Sequence, residues 1–462
     1  MLNSSTLHSF ENIVGDANIL AGPYDLDRYS ADALTPFRAF GVEETLERTA
    51  DLVVRPSTTG QVVEIVGLAA QQHIPLIPYG GGTGVMGGTL PVQGGVILDL
   101  KRMNRVLEVS ARDQTVSVEA GTVLQDLEDA LDGHGLMAGH DPYSLAIATV
   151  GGAISTNGVG YRAGAIGPMG DQVVALEVVL PNGRVMTTPQ VPKTSSGPNL
   201  NHLFIGSEGV FGVITRATLR VRRLPEAQVF STIAFDNFSQ GFNAVAELRA
   251  LDIRPTLLDL TEEDGRVRLY LLFEGFREGV AAMEARTMEI CAQFQGRNVG
   301  PEPTLDYWRD RHQSGDNYRL SALGKPRQTR WQRGGGRGFD YLHLALPISK
   351  VLEYRDRCEQ AMAGSGVRVT EYAIWSRPEL FSMLLAPEAG AGDDSRQSMS
   401  SVVEQVLTLA QDMGGVMEYC HGVGMKLGHL LAREMGVGHQ VIRALKDSLD
   451  PAGIMNPSKL GL

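Results

Sequence analysis

The stretch IPLIPYGGGTGVMGGTL, residues 74–90, decides how the rest of this chain reads. Six of the nine residues from Gly80 to Gly88 are glycine. Without Cβ atoms, such a backbone takes positive φ and comes close to a ligand, so that successive N–H groups converge on a pyrophosphate. The loop is bounded by strand-like IPLIP and VILDL (96–100) instead of polar linker, which argues against a plain surface turn. A Rossmann fingerprint needs its glycines between a strand and a helix, with an acidic residue about 20 positions on. Because VILDL follows as a strand, the pattern disfavours NAD in a doubly wound fold.

Working outward, residues 57–72 predict a helix, since Val62, Ile65, Val66 and Ala69 recur at helical spacing behind a Ser/Thr start. VSVEA (116–120) reads as a strand. GTVLQDLEDALDGHG (121–135) reads as a short helix capped by Thr122, with Leu124, Leu127 and Leu131 on one face and Gly133 past its end. VVALEVVLPNGRVMTT (173–188) is a hairpin turning at Pro181, Asn182 and Gly183, and GVITRATLRVRRLP (212–225) is an alternating strand. From Glu226 to Gly415 strands and amphipathic helices alternate. RVRLYLLFEG (266–275), DYLHLALP (340–347) and LFSMLLAP (380–387) are strand candidates. SKVLEYRDRCEQAMAG (349–364) and SVVEQVLTLAQDMGG (401–415) are helix candidates, the second with Val402, Val403, Val406, Ala410 and Met413 on one face. That alternation predicts an α+β domain with helices on one side of a sheet. GAGDDSRQS around Asp393 reads as a mobile loop.

At 462 residues the chain is too long for one core, and its 43% hydrophobic content fills two. A formal charge of -12 argues against nucleic acid or anionic lipid as partner, leaving a small molecule. No apolar run approaches the roughly 20 residues of a membrane span, and the first residues lack the blocks of a signal peptide, so a cytoplasmic protein is expected. The three cysteines, Cys291, Cys358 and Cys420, are too few for a disulfide framework or a thiolate-bound cluster.

Five segments carry a family resemblance: 53–88, TVGGAISTNGVG (149–160), GPMGDQVVALEVVLPNGRV (167–185), LNHLFIGSEGVFGVITRATLRVRRLPE (200–226) and LDPAGIMNPSKLGL (449–462). Together they resemble the FAD-linked oxidases of the vanillyl-alcohol oxidase and p-cresol methylhydroxylase type. Within these the likeness is nearest to the group of the glycolate oxidase flavin subunit, D-lactate dehydrogenase and alkyldihydroxyacetonephosphate synthase. The resemblance implies an α+β fold: a two-part FAD-binding domain of the p-cresol methylhydroxylase type, with an inserted cap of antiparallel sheet flanked by helices. The expected division is 1–225 for the main FAD part, 226–415 for the cap, and 416–462 returning to the FAD domain. It also implies residue roles. Pro78, Tyr79, Gly80, Gly81, Gly82, Thr83, Gly84, Gly87 and Gly88 would cradle the pyrophosphate. Pro142, Tyr143, Thr149, Gly151, Gly152, Thr156, Asn157 and Gly160 would line the flavin. Glu208, Gly209, Gly212 and Ile214 would meet the adenine end, and Asn456 would lie near the isoalloxazine. The glycine loop carries no histidine for covalent attachment, so non-covalent FAD is expected.

Oxidising a carbon centre calls for a base to take the substrate hydroxyl proton, a role that histidine suits near neutral pH. His421 lies in EYCHGVGMK (418–426), similar to the H-G-x-G segment that holds the family's active-site histidine. In the metal-dependent relatives a glutamate precedes it and paired histidines on a cap strand complete a metal site. Here Cys420 precedes it, LFSMLLAPEAG holds no histidine, and His343 alone cannot complete a three-ligand set. No catalytic metal, and activity that survives chelation, are expected. In DYLHLALP, Tyr341, His343 and Ala345 share one face and Leu342, Leu344 and Leu346 the other. If the leucines face the helices, Tyr341 and His343 look down on the flavin; a solvent-facing polar side is the alternative. Arg311 in DYWRDRH matches a W-x-x-R segment of relatives, which implies a guanidinium clamp on a substrate carboxylate. Arg309 and the run from Arg327 to Arg337 read as surface arginines, with QTRWQRGGGRG (328–338) either an entrance lid or a plain loop.

The expected function is FAD-dependent oxidation of a small 2-hydroxy acid (D-lactate- or glycolate-like) or related alcohol, with His421 as base and Arg311 as anchor. The alternatives are a flavin-dependent transferase resembling alkyldihydroxyacetonephosphate synthase, or a non-catalytic flavoprotein subunit. The electron acceptor stays open among oxygen, a quinone, a cytochrome and another flavoprotein. A homo-oligomer or a subunit of a redox complex are the assemblies open to such a chain.

Overall fold

A computed structural model describes residues 2–38, 43–331, 338–388 and 395–462. The glycine loop leaves the end of a small mixed sheet ordered Ile19–Leu20, Leu52–Val54, Val96–Asp99, Leu76–Tyr79, the last three strands parallel. Leu52–Val54 and Val96–Asp99 are buried at every position, as strands covered on both faces must be. The parallel connection requires a crossover, and the helix Thr59–Gln72 supplies it. Thr58 caps that helix by accepting from the Gln61 N–H at 3.2 Å, and Val62, Ile65, Val66 and Ala69 are all buried.

A second sheet is antiparallel, ordered Val106–Ser110, Thr115–Glu119, Val213–Arg220, Val173–Val179, Val185–Thr187. Beside it the helix Leu124–Asp132 buries Leu124, Leu127 and Leu131. Thr122 is not its cap: Val123 holds that position, and the Thr122 hydroxyl has no hydrogen-bond partner. The first helical N–H groups are met instead by a neighbouring loop, Leu124 by the Ala148 carbonyl at 2.9 Å and Gln125 by that of Leu145 at 3.1 Å. A tertiary partner does here what a cap does locally.

The cap is a seven-stranded antiparallel sheet ordered Arg297–Asn298, Ala227–Phe235, Arg266–Gly275, Leu257–Glu263, Val367–Trp375, Leu380–Pro387, Asp340–Ala345. Strand alternation gives it one apolar face, on which Leu260, Leu342, Leu344, Phe381 and Met383 join the core with Val402, Val406 and Leu407 of the helix Ser395–Asp412. The other face looks toward the FAD-binding part. The expectation of helices on one side needs a correction, because the helix Glu302–Asp310 packs on this inner face, where the Thr304 and Thr232 hydroxyls meet at 2.7 Å.

The C-terminal segment ties the two parts together. Val416 pairs with Ala345 at the cap edge, and the Tyr419 N–H donates to the His343 carbonyl at 3.1 Å. The chain then crosses to the glycine loop, where Met425 N–H donates to the Met86 carbonyl at 2.9 Å. It ends along the first sheet, with Met455 bridged to Leu76.

Leu344→Ala, at a site with 0% exposure, should lower the unfolding free energy by about 2–5 kcal/mol. Val441→Ala, at 56% exposure, should change it by less than about 0.5 kcal/mol. Urea unfolding of the two variants checks the contrast.

Candidate active site

The glycine loop, the loops around 142–160 and 208–214, and the inner face of the cap enclose one cavity of about 680 Å³. That size suits a nucleotide cofactor with a small substrate. Glycine is a steric requirement at the loop. A Cβ on Gly81 would stand 2.3 Å from the Ile147 carbonyl oxygen, and Gly82 sits at φ +65° with its Cβ position 2.1 Å from the Tyr79 hydroxyl. The backbone is thus held against its neighbours with its face open to the cavity, which is what a diphosphate needs.

All residues expected to hold FAD line this cavity except Gly87, Asn157 and Asn456. Those three frame it from behind. Gly87 turns the loop at φ +77°. Asn157, at φ 51°, ends the helix Val150–Thr156 and accepts from the Gly170 N–H at 2.9 Å. Asn456 Nδ2 donates to the carbonyls of Gly88 (2.9 Å) and Glu208 (2.6 Å), pinning two cofactor loops together. Glu208 also lines the cavity, and its carboxylate accepts from the Val423 N–H at 2.6 Å and the Gly424 N–H at 2.9 Å. Burial pushes its carboxyl up, and those two amides oppose the rise. The loop that carries His421 is fastened to the cofactor loops by this contact.

At the other end of the cavity, Tyr341 and His343 project from the inner face of the cap. The His343 ring is 4.6 Å from that of His421 and 5.1 Å from the Trp375 indole. Its Nδ1 is 2.8 Å from the Ser382 hydroxyl, which is 2.9 Å from that of Tyr419, while its Nε2 is buried without a partner. Tyr341 donates its hydroxyl to Glu371 at 2.5 Å. Burial, with His421 adding, holds the His343 pKa well below its ordinary value. For His421 burial alone is again lowering, but Cys420 and the Glu418 carboxylate, 3.8 Å from Nδ1, outweigh it and raise the pKa to about 10. Two imidazolium rings this close repel, and the opposite shifts of the two rings favour a single proton on His421.

Arg311 does not line the cavity. Its Nε donates to Asp141 at 3.0 Å, Nη1 to the Trp308 carbonyl at 2.6 Å, and its guanidinium stacks 3.8 Å above the Trp308 ring. Asp141, 1% exposed, also binds Arg162 at 2.6 Å and His312 at 2.5 Å, so Arg311 belongs to an ionic junction between cap and FAD-binding part. Arg309 is 68% exposed, but Arg327 and Arg330 are buried, contrary to their reading as surface residues. Arg327 donates to the carbonyls of Leu46 and Arg48, and Arg330 to that of Arg28 at 2.6 Å. Residues 332–337 of the proposed lid, and 389–394 around Asp393, lie outside the described residues.

Sequence reasoning missed Arg38, which lines the cavity beside Tyr341 and His343. Its Nε donates to Asp340 at 3.0 Å, and Asp340 also binds the buried Lys426. Burial lowers the Lys426 pKa to about 8, against the pull of Asp340. Arg38 and His421 line this end of the cavity, with Asp340 set against Arg38 and Lys426, Glu418 beside His421, and Glu371 on the Tyr341 hydroxyl. Nothing in the spacing of these residues announces the cluster, since Arg38 and Asp340 are 302 positions apart. Among the described residues no group of three His, Cys, Asp or Glu side chains is arranged to hold a metal ion.

Backbone amides presented by one part and ionisable side chains by another, over a shared cavity, make this an FAD-dependent oxidoreductase. Comparison with known proteins gives the family: residues 50–189 match the FAD binding domain, and residues 269–460 match the C-terminal domain of FAD linked oxidases. The chain belongs to the FAD-linked oxidase family. Similar proteins include the glycolate oxidase subunit GlcD of Bacillus subtilis (26% identical, covering 96% of this chain and 95% of that one). The D-lactate dehydrogenase of Archaeoglobus fulgidus is 29% identical, covering 94% and 95%. The fold is shared with p-cresol methylhydroxylase solved with substrate bound (TM-score 0.77, 19% identity, 99% of this chain and 96% of that one). No helix among the described residues is long and apolar enough to cross a membrane.

Gly81→Ala forces its Cβ against a backbone carbonyl and should weaken FAD binding by roughly tenfold or more. Gly67→Ala, where nothing lies within 4 Å of the new atom, should leave it unchanged. Flavin fluorescence titration of the two apoproteins compares them.

Proposed function

We propose that this protein oxidises a 2-hydroxy acid, and the observation that carries the reading is the His343–His421 pair, its rings 4.6 Å apart, lining the cavity beside Arg38. FAD, when bound, supplies the hydride acceptor. A hydroxy acid brings a carboxylate, which suits Arg38 and His421 on the cavity wall, and a hydroxyl proton, which needs an acceptor. His343 is the acceptor available at neutral pH: Ser382 and Tyr419 hold its Nδ1, and its Nε2 lone pair has no protein partner. His421, already protonated, meets the carboxylate. The base role expected for His421 thus passes to His343, because the charges beside His421 keep its proton on. Arg38, held by Asp340, adds a second cation on the same wall, in place of the Arg311 clamp.

Anaerobic mixing with D-lactate, glycolate and longer 2-hydroxy acids tests the reading, since bleaching of the flavin band supports it and an unchanged spectrum across the panel overturns it. His343→Ala or His421→Ala should slow bleaching by at least about a hundredfold. His421 works protonated, so kcat/KM should hold below, and fall as pH rises through, about 10. His343 works unprotonated and its pKa is depressed, so the acid limb should lie below the ordinary histidine range. Loss of the alkaline limb in His421→Gln alone separates the two roles.

The FAD is proposed to be held without a covalent bond. Tyr79 and Tyr143 spend their hydroxyls on the carbonyls of Ala31 and Thr83, and the glycine loop has no histidine. Acid precipitation should leave the yellow colour in the supernatant. Colour in the pellet would point to His140, a buried histidine lining the cavity.

A further inference from the structure

The inner face of the cap carries a second polar cluster that the histidine pair does not use. Asp259, 4% exposed, lines the cavity from the strand Leu257–Glu263. Tyr307, on the inner helix Glu302–Asp310, donates its hydroxyl to Asp259 Oδ2 at 2.7 Å, while Oδ1 is buried without a partner. An orphaned carboxyl oxygen is costly unless something other than the protein completes it. Tyr307 is itself lodged between the rings of Tyr161 and Tyr270, at 6.0 and 5.2 Å between centroids, so the Oδ2 side of the carboxyl is fixed. Burial pushes Asp259 up to about 8, against the Tyr307 hydrogen bond and helped by Glu371. Near neutral pH its carboxyl therefore exists in both forms, and a hydroxyl satisfies either one, as donor to the first or acceptor from the second.

The sheet register sets the distance over which Asp259 acts. His343 pairs with Ser382, Ser382 with Ala373 and Ala373 with Thr261, which puts Asp259 three strands away and two residues along. Three strand spacings amount to about 14 Å of backbone separation. Trp375 pairs directly with Asp259 and reaches back to within 5.1 Å of the His343 ring. A molecule reacting at His343 touches Asp259 only if its chain extends across the Trp375 indole, which a two- or three-carbon acid does not.

We propose that Asp259, positioned by Tyr307, is a specificity-determining residue that hydrogen-bonds a hydroxyl at the far end of the substrate. The acid oxidised here is then a polyhydroxylated chain longer than lactate. This rests on the hydroxy-acid reading above.

The test compares kcat/KM of the FAD-loaded enzyme for aldonic acids of four to six carbons with that for unsubstituted 2-hydroxyalkanoates of equal length. Wild type should prefer the aldonic acids by about tenfold or more, since a site built to hydrogen-bond a hydroxyl rejects the analogue lacking it. Asp259→Leu should erase the preference through KM, with FAD affinity unchanged, and Asp259→Asn should keep part of it. A ratio near one in wild type, a ratio unmoved by Asp259→Leu, or weaker FAD binding in that variant would overturn the proposal. If hydroxyalkanoates and aldonic acids alike leave the flavin oxidised, the hydroxy-acid reading fails separately. Calorimetric titration of the aldonic acids then decides on Asp259: weaker binding to Asp259→Leu supports it, and equal or absent binding sinks it.

Discussion

A buried carboxylate holds the site together. Glu208, on a cofactor loop, accepts the N–H groups of Val423 and Gly424, and the loop so fastened carries His421. Asn456 completes the joint from the far end of the chain by donating to the carbonyls of Gly88 and Glu208. These contacts span 215 positions or more of sequence, and each satisfies a buried polar group that would otherwise cost free energy. Cofactor loops and reacting side chains lie on different parts of the molecule, so their alignment depends on this joint. The same segment pairs with the cap edge at Ala345, so the cap is registered to the cofactor by the same run of backbone.

Charge decides what the reacting end accepts. Arg38 and His421 line the reacting end, and in a buried cavity their charges are screened far less than at a surface. On the proposed reading they favour an anionic substrate. The opposite flank, at Asp259, carries a carboxyl and a tyrosine cluster without a facing cation among its hydrogen-bond partners. Trp375 lies between the two ends, pairing with Asp259 and 5.1 Å from the His343 ring.

The Asp141 junction illustrates how one residue's role moves from chemistry to architecture. Arg311 stands in a sequence context that suggests a substrate clamp, yet Asp141 and Trp308 absorb its guanidinium. Removing one partner from such a buried network strands the remaining charges, so the cluster fixes the cap against the FAD-binding part whatever the substrate. Arg327 and Arg330 behave similarly, satisfying backbone carbonyls of the N-terminal region.

Local pattern alone was enough for the elements whose cause is local. Helical spacing predicted Thr59–Gln72, alternation predicted the apolar and polar faces of Asp340–Ala345, and the glycine density of 80–88 announced a backbone pressed against a ligand. The same density, with the five matching segments, points to the FAD-linked oxidase family. What the sequence did not contain were relations between distant residues. Thr122 looks like a cap until the carbonyls of Leu145 and Ala148 take its place. Arg38 carries no motif, and it lines the cavity only because Asp340, 302 residues on, draws its guanidinium to that wall. Asp259 is an ordinary strand residue in sequence. The tertiary fold decided its part, because burial, an orphaned oxygen and a tyrosine 48 positions away exist only once the sheet, the inner helix and the cofactor loops close around one space.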